Sequence, residues 1–165
     1  MQVDWGRDVG AGALNVSFLA SFLDSMKTAV DPSAPLLEYK GTFGPNNVSG
    51  VQGGSYDYRT FTTVGYSRDN WRLSLRWRHL PEIEPAAIVN DPDTLTLSTP
   101  SYNIFDLSGG FDITDSVALR FGIDNLLDKD PPVTNATVYT RGSSTNAGFY
   151  DVLGRRGWVA MAFEF

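Results

Sequence analysis

Trp71-Arg72-Leu73-Ser74-Leu75-Arg76-Trp77-Arg78 alternates without a break, with Trp71, Leu73, Leu75 and Trp77 in one phase and Arg72, Ser74, Arg76 and Arg78 in the other. Successive side chains of a β-strand point to opposite faces, so this stretch reads as a strand with one apolar and one cationic face. Val117 to Asp124 follows the same rule, with Val117, Leu119, Phe121 and Ile123 opposite Ala118, Arg120, Gly122 and Asp124. Working outward, the alternation predicts strands at 14–23, 57–66, 71–78, 104–111, 117–124 and 158–165, and a further strand over Met1 to Arg7. Seven strands are expected, and no helix.

Between these strands the connections alternate in length. Asp8 to Gly12, Ser67 to Asn70 and Asp112 to Ser116 are tight turns rich in Asp, Asn, Gly and Ser. The segments 27–56, 79–103 and 125–157 are long connections with Pro, Gly and Asn throughout. Long irregular loops are uncommon inside compact soluble domains, whereas outer-membrane barrels combine short periplasmic turns with long extracellular loops. The rings fit that asymmetry. Tyr66 and Trp71 flank one tight turn, Phe111 precedes another, Phe165 closes the last strand, and Tyr58 and Trp77 lie toward the opposite strand ends, as interfacial girdles require. A soluble antiparallel sheet with one wet face also alternates, so a secreted β-sandwich, such as a carbohydrate-binding module, stays open as a reading.

Composition narrows the classes. The chain has 165 residues, 42% of them hydrophobic and 19% charged, with a net charge of -6. It is too apolar for disorder and lacks the basic footprint of a nucleic-acid binder. Without cysteine it has no disulfide, thiolate metal site or thiol nucleophile, and one histidine, His79, cannot build a multi-histidine metal centre. No apolar run reaches the roughly 18 residues of a membrane helix. No cofactor is expected, and nothing around His79 resembles a nucleophile elbow.

The carboxy-terminal third carries a resemblance. Gly122-Ile123-Asp124-Asn125-Leu126-Leu127-Asp128-Lys129-Asp130-Pro131 and Tyr150-Asp151-Val152-Leu153-Gly154-Arg155-Arg156 resemble the approach to the last two strands of TonB-dependent outer-membrane receptors. The motif residues are Asn125, Leu126, Asp128, Lys129, Tyr150, Asp151, Gly154, Arg155 and Arg156. The ending Val159, Met161, Phe163 and Phe165, on one face and aromatic at the terminus, resembles the signal read by the barrel-assembly machinery. Gly157 stands where the family has a bulky apolar residue, and the other face of the final strand (Trp158, Ala160, Ala162) is unusually apolar.

The resemblance implies that residues 1–165 are the carboxy-terminal portion of a receptor β-barrel, about seven strands of an antiparallel transmembrane barrel of about 22. Plug domain, energy-coupling box and signal peptide are not in the sequence, and Met1 is expected to be an internal or artificial start. The implied setting is the bacterial outer membrane. The implied partners are the lipid bilayer, the remainder of the barrel and its plug, the TonB-ExbB-ExbD complex acting through that plug, the assembly machinery and a small-molecule ligand, with no nucleic acid. The implied cargo is a scarce bulky nutrient: an iron-siderophore, cobalamin or an oligosaccharide. A porin-like barrel without energy coupling is the nearest alternative.

Arg59, Arg72, Arg76, Arg78, Asp106, Arg120 and Asp124, with Asp57 and Glu164, are expected to line the lumen, either contacting cargo or pairing across strands. Arg155 and Arg156 could clamp an anion or anchor the strand top. Asn90-Asp91-Pro92-Asp93 and Asp128-Lys129-Asp130 could serve calcium or form plain turns. Tyr102, Tyr139, Phe149 and Tyr150 are rings of the sort that stack on sugars. Asn47-Val48-Ser49 and Asn135-Ala136-Thr137 match the glycosylation pattern and are read as coincidence.

Overall fold

A computed structural model describes residues 1–29, 32–43, 55–134 and 145–164. The elements in chain order are β1 (Gln2–Val9), β2 (Gly12–Phe22), β3 (Lys27–Thr28), β4 (Leu37–Glu38), β5 (Thr42–Phe43), β6 (Tyr58–Arg68), β7 (Trp71–Leu80), β8 (Glu84–Pro85), α1 (Ala87–Asn90), β9 (Tyr102–Thr114), β10 (Val117–Asp124) and β11 (Arg156–Phe163). Seven of them form one sheet in the order β1-β2-β6-β7-β9-β10-β11, and every neighbouring pair in it is antiparallel. The sheet is an all-β, antiparallel meander of the kind that forms a segment of barrel wall.

Register carries the two-faced pattern across the whole sheet. Trp5 opposes Val16, Val16 opposes Val64, Val64 opposes Leu75, Leu75 opposes Leu107 and Leu107 opposes Ile123. One face is therefore apolar from edge to edge. No other part of the described chain covers it: Leu75 and Trp71 on the central β7 are each 38% exposed, and Val159 on β11 is 74% exposed. On β9 the inward Tyr102, Ile104 and Asp106 are buried while the outward Phe105 and Leu107 are only half-buried. A soluble sandwich would bury the apolar face and wet the polar one. Here the apolar face is uncovered as well, with the inward Arg72 and Arg76 about half exposed, and a contiguous uncovered apolar surface of this extent is rare among soluble monomers.

The tight turns at Gly10–Ala11, Asp69–Asn70 and Asp115–Ser116 lie at one end of the sheet and the long connections at the other. Gly10 and Asp69 hold positive φ (62° and 49°), the backbone that short hairpin loops require. Next to the third turn, Val117 pairs with Thr114 but Ala118 with Asp112, so the register shifts there and Ile113 is the extra residue of a bulge.

The long connections hold structure that alternation did not signal. The expectation of no helix is corrected by one turn, α1, and four two-residue strands form two further small pairings. In the first connection β3 pairs with β4, and the Glu38 carboxylate accepts from the Ser25 hydroxyl (2.8 Å) and the Met26 and Lys40 amides (2.6 and 3.1 Å). These donors hold its pKa below the usual value. β5 then pairs in parallel with β8 and ties the first connection to the second. Tyr39 packs on Ala86 with Met26, Leu37 and Val89 around it, and its hydroxyl donates to Asn90 Oδ1 at 3.2 Å.

A second cluster joins all three connections to the sheet. Phe43, Ile83, Tyr102, Ile104 and Tyr150 are buried together, flanked by Tyr56, Leu80 and Phe149. Leu80, Tyr102 and Ile104 belong to the inward phase of β7 and β9, so the connections fold over the polar face at its loop end. The Tyr56 hydroxyl donates to that of Tyr150 at 2.9 Å, and burial pushes both phenols up from their ordinary pKa.

Candidate functional site

The inward face is a polar wall built by register. Arg72, Ser74, Arg76 and Arg78 of β7 stand beside Gly110, Ser108, Asp106 and Ile104 of β9. Beyond them on β10, Arg120 pairs with Gly110 and Gly122 with Ser108. Asp106 is the hub. Its carboxylate, 9% exposed, accepts two bonds from the Arg78 guanidinium (2.9 and 3.1 Å) and one from the Asn125 amide (3.0 Å). Arg76 reaches the same carboxylate only at 3.8 Å, and Arg72 meets Asp112 at 3.6 Å with both side chains about half exposed. Arg59, Arg120 and Asp124 lie in the same inward phase without an ion pair among the described residues.

The two motif segments are brought together at the loop end of β10 and β11. Asn125, fully buried, adopts left-handed φ (52°), a conformation Asn tolerates better than most residues. Its Oδ1 accepts from the Lys129 amide at 2.8 Å and its Nδ2 donates to the Lys129 carbonyl at 3.0 Å, so one side chain closes the turn from both sides. The Leu126 amide donates to the Phe105 carbonyl (2.7 Å) and pins the turn to β9. Asp128, also left-handed at 54°, accepts from the Arg155 amide at 2.9 Å and lies 3.7 Å from its guanidinium. Gly154 supplies the positive φ (71°) that lets the chain arrive there.

Arg156 donates to both oxygens of Asp151 at 3.1 and 3.3 Å. Burial raises the Asp151 pKa, but the Leu153 amide and Arg156 outweigh it, and the net shift is downward. The Tyr102 hydroxyl donates toward the Lys129 and Asp151 carbonyls at 3.3 and 3.5 Å. Arg156 is committed to Asp151, while the Arg155 guanidinium, about half exposed, reaches Asp128 and the Leu126 carbonyl only at 3.7 and 3.4 Å. The geometry is that of a strand-top anchor.

Other expectations divide. Tyr102, Phe149 and Tyr150 pack in the loop cluster, Tyr102 against Tyr150 edge-on with centroids 5.2 Å apart, so they offer no open platform to a sugar. Tyr139 and both glycosylation-like sites lie outside the described residues. Asp93 donates its amide to Asp91 Oδ1 at 3.2 Å in a plain turn, and no metal-sized group of ligands occurs among the described residues. Val159, Met161 and Phe163 face outward on β11, opposite Phe121, Leu119 and Val117, while Phe165 lies outside the described residues.

Two arrangements escaped the sequence reading. On the apolar face, a ladder of rings runs Phe22, Tyr58, His79, Trp77, Phe105, with successive centroids 5.8 to 6.3 Å apart. Asn103 Oδ1 accepts from Trp77 Nε1 at 2.8 Å and lies 2.9 Å from His79 Nδ1. The other ring nitrogen, Nε2, lies 3.4 Å from the Tyr58 hydroxyl. On the polar face, Trp158 lies over Gly122, where a Cβ would come within 2.5 Å of its indole. The small inward residue Gly122 beside Trp158 was the available signal for that contact, once register was known.

Comparison with known proteins adds a fold. No protein-family model matches the chain, and no curated protein matches it either. Among solved structures, the chain is similar to one named "Copper transporter OprC", with a TM-score of 0.50 and 19% identity over 98% of this chain. The chain spans 22% of the length of that structure. At this identity the likeness is one of architecture: the seven-stranded sheet superposes on a stretch of that chain.

Proposed function

We propose that the chain forms part of the wall of a bacterial outer-membrane transporter of the TonB-dependent kind, its carboxy-terminal barrel portion, and that it catalyses no reaction. One observation carries the reading: the sheet is apolar and uncovered on one face from β1 to β11, and charged on the other. That is the arrangement of a strand wall between lipid and a wet lumen, with each interior strand paired to a neighbour on both sides. The turn and loop asymmetry orients it, with the tight turns periplasmic and the long connections outside. The resemblance of the Asn125–Lys129 and Tyr150–Arg156 segments favours a receptor driven through a plug by the TonB-ExbB-ExbD complex over a passive pore.

The cargo in this reading is a scarce bulky solute: an iron-siderophore, cobalamin or an oligosaccharide. OprC is named for copper, but this segment lends that cargo no support. Its one histidine, His79, is engaged on the apolar face, Met161 is also there, and Met26 packs under Tyr39. Antiparallel pairing throughout a closed barrel requires an even number of strands, so seven need an odd number more, which the remainder of the barrel would supply. The test is the intact mass of the native polypeptide recovered from a detergent-solubilised outer-membrane fraction. A mass several times 18.1 kDa supports the reading, and an 18.1 kDa product in the soluble fraction refutes it.

A further inference from the structure

The turn-side half of the polar face holds an open recess of about 800 Å³. Its floor is a row of minimal side chains in register: Asn15 beside Gly65, Gly65 beside Ser74, Ser74 beside Ser108, Ser108 beside Gly122. Trp158 closes one end, in register with Gly122. Arg72 and Arg120 stand on one flank, on either side of Gly110, and the Arg72 guanidinium leans over that glycine, within 2.9 Å of where its Cβ would be. Strand spacing puts the Arg72 and Arg120 backbones about 10 Å apart, so the pair can grip one solute between them. Arg76 stands on the opposite flank.

Charge accounting separates this recess from the rest of the wall. Asp106 accepts two bonds from Arg78 and one from the Asn125 amide, and Arg76 makes only a long contact with it. Arg72 is held loosely by Asp112, and Arg120 makes no ion pair or hydrogen bond among the described residues. Arg120 also borders the turn-end hollow lined by Asp112, Asp115 and Glu164, and pairs with none of them among the described residues. The indole Nε1 of Trp158 and the hydroxyls of Ser74 and Ser108 also have no partner among the described residues. Three guanidinium groups and neutral donors therefore line a space that no described side chain fills.

We infer that this recess binds a multivalent oxyanion, of the phosphate or polycarboxylate class, bridging Arg72 and Arg120 with Arg76 opposite. Guanidinium forks match such oxyanions in pairs of parallel hydrogen bonds. The inference rests on the reading of this face as a lumen wall, where such a solute would meet it in transit.

The experiment is calorimetric titration of the full-length protein in detergent with inorganic pyrophosphate and, separately, with a tricarboxylate. Both probes are expected to bind, with affinity falling as salt rises. Arg120→Gln weakens binding by about tenfold or more, the equivalent of one lost charge-assisted contact. Trp158→Phe, which keeps the ring and removes the N–H, weakens it less. Arg59→Gln, in the same phase toward the loop end, leaves it unchanged. Heat-modifiable mobility on gels confirms that each variant is folded. Absence of heat with both probes on folded wild-type protein overturns the inference, as does equal binding by folded Arg120→Gln. Recovery of that protein in the outer membrane with no anion response sinks the recess and keeps the transport reading. A response in a protein recovered from the soluble fraction does the reverse.

Discussion

Asp106 holds β9 to two partners at once, the Arg78 side chain and the Asn125 turn. Replacement by Ala strands a half-buried guanidinium and a buried amide together. The expected loss is about 2–3 kcal/mol, the scale of hydrogen bonds to charged groups, read as a lowered urea midpoint for the folded barrel in micelles. Asp151 gives a pH signature. Its pKa is depressed in the folded chain, so its pairing with Arg156 contributes fully above the ordinary carboxylate value of 3.8 and is lost as pH falls through the depressed one. Limited proteolysis of the 125–155 connection should therefore accelerate only at strongly acid pH, and Asp151→Asn should show the faster rate at neutral pH as well. Gly122 is a packing case. Substitution by Val drives a side chain into the Trp158 indole and should cost about 1–3 kcal/mol by the same urea assay.

At the scale of elements, the tryptophans report which face meets lipid. Trp5, Trp71 and Trp77 share the apolar phase of β1 and β7, whereas Trp158 sits in the inward phase of β11. Full-length single-tryptophan variants reconstituted with brominated acyl chains should show strong quenching for Trp77 and little for Trp158. Equal quenching would contradict the assignment of faces. The same logic applies to charge: Leu75→Arg at mid-strand should cost about 2–4 kcal/mol of folding stability in bilayers. The strands were legible because period-two alternation survives whatever lies on either side; β10 begins and ends at the residues read from the pattern, 117 and 124. The loop elements were not. β5 and β8 are two residues each and exist because Thr42–Phe43 meets Glu84–Pro85 across about forty residues of chain, a contact no local period encodes.

At the scale of the whole molecule, the sheet is open. β1 and β11 each have a neighbour on one side only, and with seven strands they run in the same direction. Unpaired strand edges in lipid leave donors and acceptors unsatisfied. The 165-residue chain expressed alone should therefore aggregate and give no heat-modifiable monomer band, while the protein carrying the remaining wall should give one. A soluble monomeric product would count against the membrane reading as a whole.

Alternation along the chain set the strands, their two faces and the order of short and long connections, because each of these depends on neighbours one or two residues away. Asn125, Asp128 and Gly154 stood out in the sequence only through the resemblance of their segments to a receptor motif, and their left-handed backbone came from the structure. Only the tertiary structure decided which face is covered, because burial depends on what the rest of the chain places against a surface. It turned three long connections inward over Tyr102 and Ile104, and left Leu75 and Trp77 bare. It also assigned the charges. Arg78, Arg155 and Arg156 found carboxylates within reach while Arg120 found none, and side-chain pairing across strands is fixed by register, which a one-dimensional pattern does not contain.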